Sequence, residues 1–284
     1  MKKILNDFNE LIMFKHSIFS LPFIFVAMVV AANGWFGWKL LLLGLLAAVS
    51  ARNFAMSFNR FVDRDIDAKN PRTASRPSVD GRIDTNKQLL FIVINAIIFV
   101  LTAYFINSLA FYLSIPILIV LSGYSFFKRF SSFAHIVLGI SLGLSPIAGV
   151  VAVKNSITLW SLLLSFGVVF WVAGFDLLYS LQDIEFDKKE GLHSIPSIYG
   201  AKCTLLLSKF FHVMTILFWL LFVIAYGGGI FSYLSVVVSA GMLYKEHQIV
   251  NQDFNEIDKA FFTMNGYLGI IFFIFVLFDI VFKG

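Results

Sequence analysis

Residues 40–67 read LLLLGLLAAVSARNFAMSFNRFVDRDID, and this stretch decides the class of fold. The apolar run over 39–60 is long enough to cross a bilayer, because a membrane helix needs about 20 such residues. The run leads directly into a polar segment that carries Asp63, Asp65 and Asp67. The stretch therefore predicts a membrane helix that ends in an acidic motif at one face of the membrane.

The composition of the whole chain agrees with this prediction. Of the 284 residues, 59% are hydrophobic and 14% are charged, and the mean hydropathy is +0.85. A soluble globular domain has about 45–50% apolar and about 25% charged residues. The composition therefore excludes a water-soluble enzyme and a disordered chain. The single cysteine, Cys203, excludes an internal disulfide and a cysteine-based metal site.

Apolar runs of spanning length recur along the sequence. There are nine, at about 17–37, 39–60, 88–106, 109–127, 134–153, 158–180, 202–226, 228–244 and 260–282. They predict an all-α transmembrane bundle of about nine helices. Nothing in the sequence resembles a soluble appendage, so we expect one integral membrane domain over residues 1–284.

The basic residues predict an orientation in the membrane. Most of them, including Lys2, Lys128 and those of the 60–87 segment, fall on one side of the predicted bundle. The other side holds only Lys39, Lys154 and Lys283. Because cytoplasmic loops carry an excess of Lys and Arg, we expect a cytoplasmic N-terminus and a C-terminus on the far side.

Two polar segments at the predicted cytoplasmic face repeat each other at an offset of 120 residues. At this offset four pairs of residues align: Asp63 with Asp183, Asp67 with Asp187, Lys69 with Lys189, and Asn59 with Tyr179. A repeat of this kind predicts two related helical halves, each with an acidic cluster at the same membrane face.

The spacing within each segment points to a cation. Asn59, Asp63 and Asp67 are four residues apart, so on a helix they share one face and repel one another unless positive charge lies between them. Mg²⁺ prefers oxygen ligands and is commonly shared between one or two carboxylates and substrate phosphates. We therefore expect Asn59, Asp63, Asp67, Asp183 and Asp187 to bind Mg²⁺. Ordinary ion pairs at a solvated helix end are the alternative.

Basic and hydroxyl side chains near these clusters are candidate phosphate ligands. They are Arg64, Lys69, Arg72, Lys128, Arg129, Tyr179 and Lys189. Lys and Arg bind phosphate oxygens well, which suits a diphosphate shared with Mg²⁺. Lys128 and Arg129 could instead only fix the topology, and Tyr179 could be an interfacial tyrosine. Lys15 and His16 lie at the mouth of the first predicted helix, within reach of either a substrate carboxylate or lipid head groups.

Arg52 is a separate candidate, because it lies seven residues before Asn59 and so about 10 Å deeper in the membrane. A buried arginine there needs a partner or a wet cavity. It could clamp the carboxylate of a substrate, or it could pair with Asp176 in the sixth predicted helix.

These motifs resemble the UbiA superfamily of intramembrane prenyltransferases. The resemblance rests on Asn59-x-x-x-Asp63-x-x-x-Asp67, on the basic residues that follow it, on Asp183-x-x-x-Asp187, and on residues 191–196, GLHSIP. It covers nearly the whole chain and is strongest with the 4-hydroxybenzoate polyprenyltransferase branch. Within that branch the chain is most similar to the form associated with futalosine-type menaquinone synthesis.

The resemblance implies helices around a central cavity, dependence on Mg²⁺, and transfer of a polyprenyl group from its diphosphate to a small aromatic acid. Asp63, Asp67, Asp183, Asp187 and Arg52 would then be the catalytic residues, with the active site at the cytoplasmic face. We expect a bacterial-type inner membrane as the location, in quinone biosynthesis. We expect neither a nucleic acid nor an obligate protein partner.

Two other classes of protein remain alternatives at this point. A transporter of an anionic substrate also contains repeats, although transporters place their sites near the midplane of the membrane. A CDP-alcohol phosphotransferase-like enzyme also uses repeated aspartates and Mg²⁺, although its own motif is not found around Asp63 or Asp183.

Overall fold

A computed structural model describes residues 2–12, 21–252, 257 and 261–283. All long elements in these ranges are helices. They are α1 (Lys2–Leu11), α2 (Leu21–Ala32), α3 (Trp38–Val62), α4 (Arg64–Asp67), α5 (Thr85–Ile106), α6 (Ser108–Phe127), α7 (Ala134–Lys154), α8 (Leu159–Ser180), α9 (Ile184–Lys189), α10 (Ile195–Tyr226), α11 (Ile230–Gln252) and α12 (Gly266–Lys283).

Each of the nine predicted runs coincides with one of these helices, which confirms the prediction of a multi-span helical bundle. Within the described ranges, seven helices are long and apolar enough to cross a membrane. The other two that match a predicted run are α2, described over 12 residues, and α11, which becomes polar at Lys245, Glu246 and His247. The count of about nine spans is therefore approximate.

Small residues bring the central helices close together. Gly139 and Gly143 of α7 lie against α8. A Cβ atom would collide with the Val169 carbonyl at Gly139 and with the Val169 side chain at Gly143. Gly174 of α8 lies against the His212 ring of α10 in the same way. Membrane helices pack closely through such small residues, because lipid supplies no hydrophobic force between them.

Aromatic side chains fill the core between the second half of the chain and α2. Phe23, Trp171, Trp219 and Phe272 are fully buried. The ring of Trp219 lies with its centroid 5.2 Å from that of Phe23 and 4.8 Å from that of Phe272. These rings therefore join α2, α8, α10 and α12, so their first role is packing.

The two repeated motifs share one backbone feature. Asp63 lies between α3 and α4 with φ −88° and ψ 5°, and Asp183 immediately precedes α9 with φ −103° and ψ 7°. In both motifs a long membrane helix ends, at Val62 or at Ser180, and a short helix follows the first aspartate; a 3₁₀ turn over Leu181–Asp183 lies between α8 and α9. The spacing argument placed Asn59, Asp63 and Asp67 on one continuous helix, and the break at Asp63 corrects it. The shared face survives, because Asp63 N and Asp67 N still donate to the carbonyls four residues earlier.

Candidate active site

An apolar cavity of about 360 Å³ lies among α2, α3, α5, α6 and α7. Small side chains of α3 form one wall and leave the space open: Gly44, Ala47, Ala48, Ala51 and Ala55. Arg52 and Tyr124 also line it, and Tyr124 lies within electrostatic range of Asp63 and Arg60. One end of the cavity is therefore close to the first acidic motif.

The segment between α4 and α5 joins the two acidic motifs. The Arg72 side chain forms an ion pair with Asp183 and donates to the Tyr179 hydroxyl at 2.9 Å. Asn70 Nδ2 also donates to Asp183 Oδ1 at 3.2 Å, and Lys69 Nζ lies 2.7 Å from Glu190 Oε2. Residues about 110–120 positions apart in the sequence thus meet at one end of the bundle.

Asp63 and Asp67 are buried beside basic side chains. Lys128 Nζ lies 2.6 Å from Asp63 Oδ2, which also accepts from Asn59 Nδ2 at 2.9 Å. Asp67 Oδ2 lies 2.6 Å from Arg76 Nη1 and 3.6 Å from Arg60 Nη1. Each carboxylate of this motif therefore has a cationic neighbour.

Burial has the largest effect on the pKa of these two carboxyl groups. It raises the pKa of Asp63, although Lys128 opposes the shift. It also raises the pKa of Asp67, against the effect of Arg60. The exposed Asp65 behaves in the opposite way, because its hydrogen bond from Arg129 lowers its pKa. Asp63 and Asp67 are thus the carboxylates for which further positive charge would be most favourable.

The oxygen atoms around Asp63 fit part of a Mg²⁺ coordination shell. Among the described residues, no three acidic, histidine or cysteine side chains gather closely enough to hold an ion by themselves. Asp63 Oδ1, however, is buried and has no hydrogen-bond partner among those residues. This oxygen and the amide oxygen of Asn59 are hard ligands of the kind that Mg²⁺ takes. The set fits an ion whose remaining ligands come from a substrate diphosphate.

Other predicted residues take different places. Asp187 lies within electrostatic range of Asp183, Lys128 and His135, so it belongs to the same cluster. Lys189 is exposed in the last turn of α9. Lys15 and His16 lie outside the described residues.

Arg64 and Arg129 are directed away from the buried carboxylates. The Arg64 side chain donates to the Thr85 hydroxyl at the start of α5. Arg129 binds Asp65 through two nitrogens and the Val62 carbonyl at 2.6 Å, so it supports the break between α3 and α4.

Arg52 does not form the predicted alternative pair with Asp176. Its Nη2 atom donates to the Ile12 carbonyl at 3.2 Å. Asp176 instead lies 2.7 Å from His135 Nδ1, because α7 brings that histidine against α8. The correction leaves Arg52 at the wall of the cavity, within reach of a ligand there.

Sequence reasoning missed Arg60, Asn70 and Tyr124. Arg60 is 5% exposed and pairs with Asp67, yet a basic residue at a helix end looks like a topology signal. Asn70 is an ordinary turn residue in sequence. Tyr124 could have been found, because it lies four residues before Lys128 and so on the same helix face.

A helical membrane bundle that sets paired acidic motifs and basic side chains beside an apolar cavity defines a class of membrane enzymes, the intramembrane prenyltransferases. The sequence matches the UbiA prenyltransferase family over residues 20–276. The chain therefore belongs to the UbiA prenyltransferase family, as its motifs predicted.

Individual relatives agree with this membership. The chain is 29% identical over 251 residues to a 4-hydroxybenzoate octaprenyltransferase of Saccharophagus degradans, a match that covers 88% of this chain and 83% of the relative. It is 30% identical over 247 residues to the enzyme of the same name from Yersinia pseudotuberculosis, covering 84% and 83% of the two chains.

Solved structures show the same fold. A UbiA homologue from Aeropyrum pernix, solved in its apo form, superposes with a TM-score of 0.84 at 31% identity and covers 93% of this chain and 98% of its own. A UbiA homologue from Archaeoglobus fulgidus bound to DMAPP and Mg²⁺ gives 0.77 at 20% identity, with 97% and 99% coverage. At that identity the second likeness concerns the fold alone.

Proposed function

We propose that this protein transfers a polyprenyl group from polyprenyl diphosphate to a small aromatic acid, 4-hydroxybenzoate or a related quinone precursor. Family membership and the names of the relatives support this reaction. The observation that carries the proposal is the contact of Arg72 with Asp183, which joins the two acidic motifs at the end of the bundle where Tyr124 lines the cavity.

The amphiphilic donor suits this layout. Its diphosphate belongs among the charged side chains, and its apolar tail belongs in the cavity. Arg72 and Lys128 would bind phosphate oxygens, and Tyr179 would donate a further hydrogen bond. When bound, Mg²⁺ supplies positive charge against the diphosphate, and Asn59, Asp63, Asp67, Asp183 and Asp187 are the residues that would hold it.

The side chains of the cavity would then govern the reaction itself. Departure of the diphosphate leaves an allylic cation, which water would destroy. The apolar wall would exclude water, and the ring of Tyr124, at the end of the cavity nearest the acidic motifs, would offer electron density to the cation. The electron-rich ring of the acceptor attacks the cation, and loss of a ring proton restores its aromaticity.

Arg52 is the residue we assign to the acceptor. Its planar guanidinium can bind a carboxylate through two parallel hydrogen bonds, whereas a lysine cannot. Its place in the cavity wall would hold the ring of the acid beside the apolar space for the donor tail.

A direct assay tests the reaction. Membranes that contain the protein are given radiolabelled polyprenyl diphosphate, 4-hydroxybenzoate and Mg²⁺, and we expect a lipid-extractable aromatic product. Movement of substrate across sealed vesicles without any covalent product would favour a transporter instead. A panel of aromatic acids, read by mass spectrometry, identifies the acceptor.

The role of Arg52 is tested by Arg52→Lys. We expect the KM for the aromatic acid to rise roughly tenfold, because a charged hydrogen bond is lost. The KM for polyprenyl diphosphate should stay nearly unchanged, which serves as the internal control. An equal loss of affinity for both substrates would show that Arg52 has a structural role.

A further inference from the structure

Arg82, in the segment that precedes α5, joins helix α1, through Glu10 and Asp7, to the connection between α4 and α5, through Ser75 and Asp80. Its two Nη atoms lie 2.6 and 2.8 Å from the carboxylate oxygens of Glu10 in α1. Its Nη2 also donates to the Ser75 carbonyl at 2.6 Å, and its Nε donates to Asp80 at 2.6 Å. A planar guanidinium whose Nε and both Nη atoms are engaged fixes the geometry between its partners.

The N-terminal helix α1 is docked through this contact. Glu10 is held at both oxygens, and Phe8 packs on Phe91 of α5 with a centroid distance of 4.7 Å. Leu11 and Ile12, at the end of the helix, are only 1% and 5% exposed. The end of α1 therefore has a defined place against the membrane helices.

That end is in contact with the residue that we assign to the acceptor. Arg52 Nη2 donates to the Ile12 carbonyl, at the C-terminal end of α1 where helix carbonyls carry partial negative charge. A hydrogen bond from a guanidinium nitrogen to a fixed carbonyl restricts the orientations that the guanidinium can adopt. The position of α1 is thus one determinant of the orientation of Arg52.

The other partners of Arg82 belong to the segment that binds the acidic motifs. Ser75 and Asp80 lie in the same connection as Arg72 and Arg76, which contact Asp183 and Asp67. Arg82 therefore joins the segment at the diphosphate side of the site to the helix that contacts Arg52.

We propose that Arg82 and Glu10 are positioning residues for the aromatic acid. Their ion pair holds α1 so that the Ile12 carbonyl presents Arg52 to the carboxylate of the acceptor. This inference rests on the proposed function of Arg52, and it makes acceptor binding depend on contacts that lie outside the cavity. It assigns no part of the chemical step to either residue.

The first test removes the Glu10 side of the pair. Glu10→Ala should raise the KM for the aromatic acid about fivefold, the size expected for loss of a partly exposed ion pair. The KM for polyprenyl diphosphate should change less than about twofold, since Arg72 and Lys128 are untouched. Asn9→Ala, at the neighbouring exposed position of the same helix, is the matched control and should change neither constant.

A second variant covers the case in which Glu10→Ala is not produced in the membrane. Glu10→Gln keeps the length of the side chain and removes only its charge. It should also raise the KM for the aromatic acid and leave the KM for polyprenyl diphosphate nearly unchanged, but the rise should be smaller than in Glu10→Ala. If either Glu10 variant changes both constants equally, or changes neither, the positioning role is wrong.

The double variant Glu10→Ala/Arg52→Lys separates this inference from the proposed function. If Glu10 acts through Arg52, its replacement should have little further effect once Arg52 is Lys, because the two changes remove the same interaction. Independent, multiplicative effects would overturn the inference.

The single variants show which proposal fails. If Arg52→Lys alone leaves the KM for the aromatic acid unchanged, the assignment of Arg52 fails. If Arg52→Lys has its effect and Glu10→Ala has none, only the positioning role fails.

Discussion

Asp63 and Asp67 illustrate how this site keeps charge inside an apolar bundle. The two residues are 3% and 4% exposed, and their side chains contact Lys128, Arg60 and Arg76. A buried charge without a partner is very unfavourable, so the acids and bases must be present together. Removal of one member therefore affects its neighbours as well as any ligand that it holds.

Asp67→Asn removes one charge and keeps the shape of the side chain. We expect turnover at saturating Mg²⁺ to fall about 100-fold or more, as is common when one preorganised electrostatic contact is lost. Asp65→Asn is the matched control on the same short helix, because the Asp65 side chain is 64% exposed and pairs with Arg129. Near-normal turnover of Asp67→Asn would show that the metal assignment is wrong.

Substitutions at Asn59 test whether this residue is a metal ligand or a packing residue. Its amide donates to Asp63, which leaves its carbonyl oxygen available for a cation. Asn59→Asp keeps an oxygen ligand, so its activity should recover as Mg²⁺ is raised, whereas Asn59→Leu should not recover. Turnover measured across a Mg²⁺ titration checks this. Equal loss in both variants at every concentration would argue for packing.

At this scale the sequence predicted the acidic residues of the site better than their partners. Fixed spacing identified Asp63, Asp67 and Asp183, because a repeat is visible without a structure. The partners depend on how a loop folds over the bundle end. Arg72 reaches Asp183 across about 110 positions, and Arg64, a neighbour of Asp63 in sequence, is directed to Thr85. Distance along the sequence therefore does not predict which partner each arginine contacts.

At the scale of the element, the helix breaks at Asp63 and Asp183 were not predictable. Neither 61–67 nor 181–187 contains a glycine or a proline, so no residue marks the end of the long helix. The breaks are supported by tertiary contacts, such as the bond from Arg129 to the Val62 carbonyl. The apolar runs, in contrast, predicted all nine matching helices, because lipid requires a long apolar helix wherever the chain crosses.

Residues of α3 in the cavity wall allow a test of whether the donor tail occupies this cavity. Ala48 lines the cavity one turn deeper than Arg52, so Ala48→Phe should fill space for the tail and spare the acceptor. We expect the KM to rise for long polyprenyl diphosphates and to change little for short ones. Leu46→Phe is the control on the same helix, because Leu46 is 47% exposed on the outer surface.

Product analysis over a series of donor lengths measures this effect. A uniform loss of activity at all lengths would show that Ala48→Phe disturbs the bundle rather than the tail site. An unchanged preference, with full activity, would place the tail outside this cavity.

At the scale of the whole molecule, the two ends of the bundle differ in charge. One end carries both acidic motifs with Arg72 and Lys128. The other end is closed by neutral contacts, such as that of Asn107 with the Val151 carbonyl at 2.6 Å, and by the bond from Lys283 to the Gly227 carbonyl. The two acidic motifs and the basic side chains that pair with them therefore lie together at one end of the bundle.

The asymmetry predicts that the site faces the cytoplasm, since basic residues stay on that side of a membrane. The test uses a Cys203→Ser background, in which one new cysteine is introduced at a time. Lys154→Cys, at the end of α7, should react with an impermeant maleimide in intact cells. Lys188→Cys, in α9, should react only after the membrane is opened. The opposite pattern would place both acidic motifs outside the cell. The distribution of Lys and Arg would then not explain the orientation of the protein in the membrane.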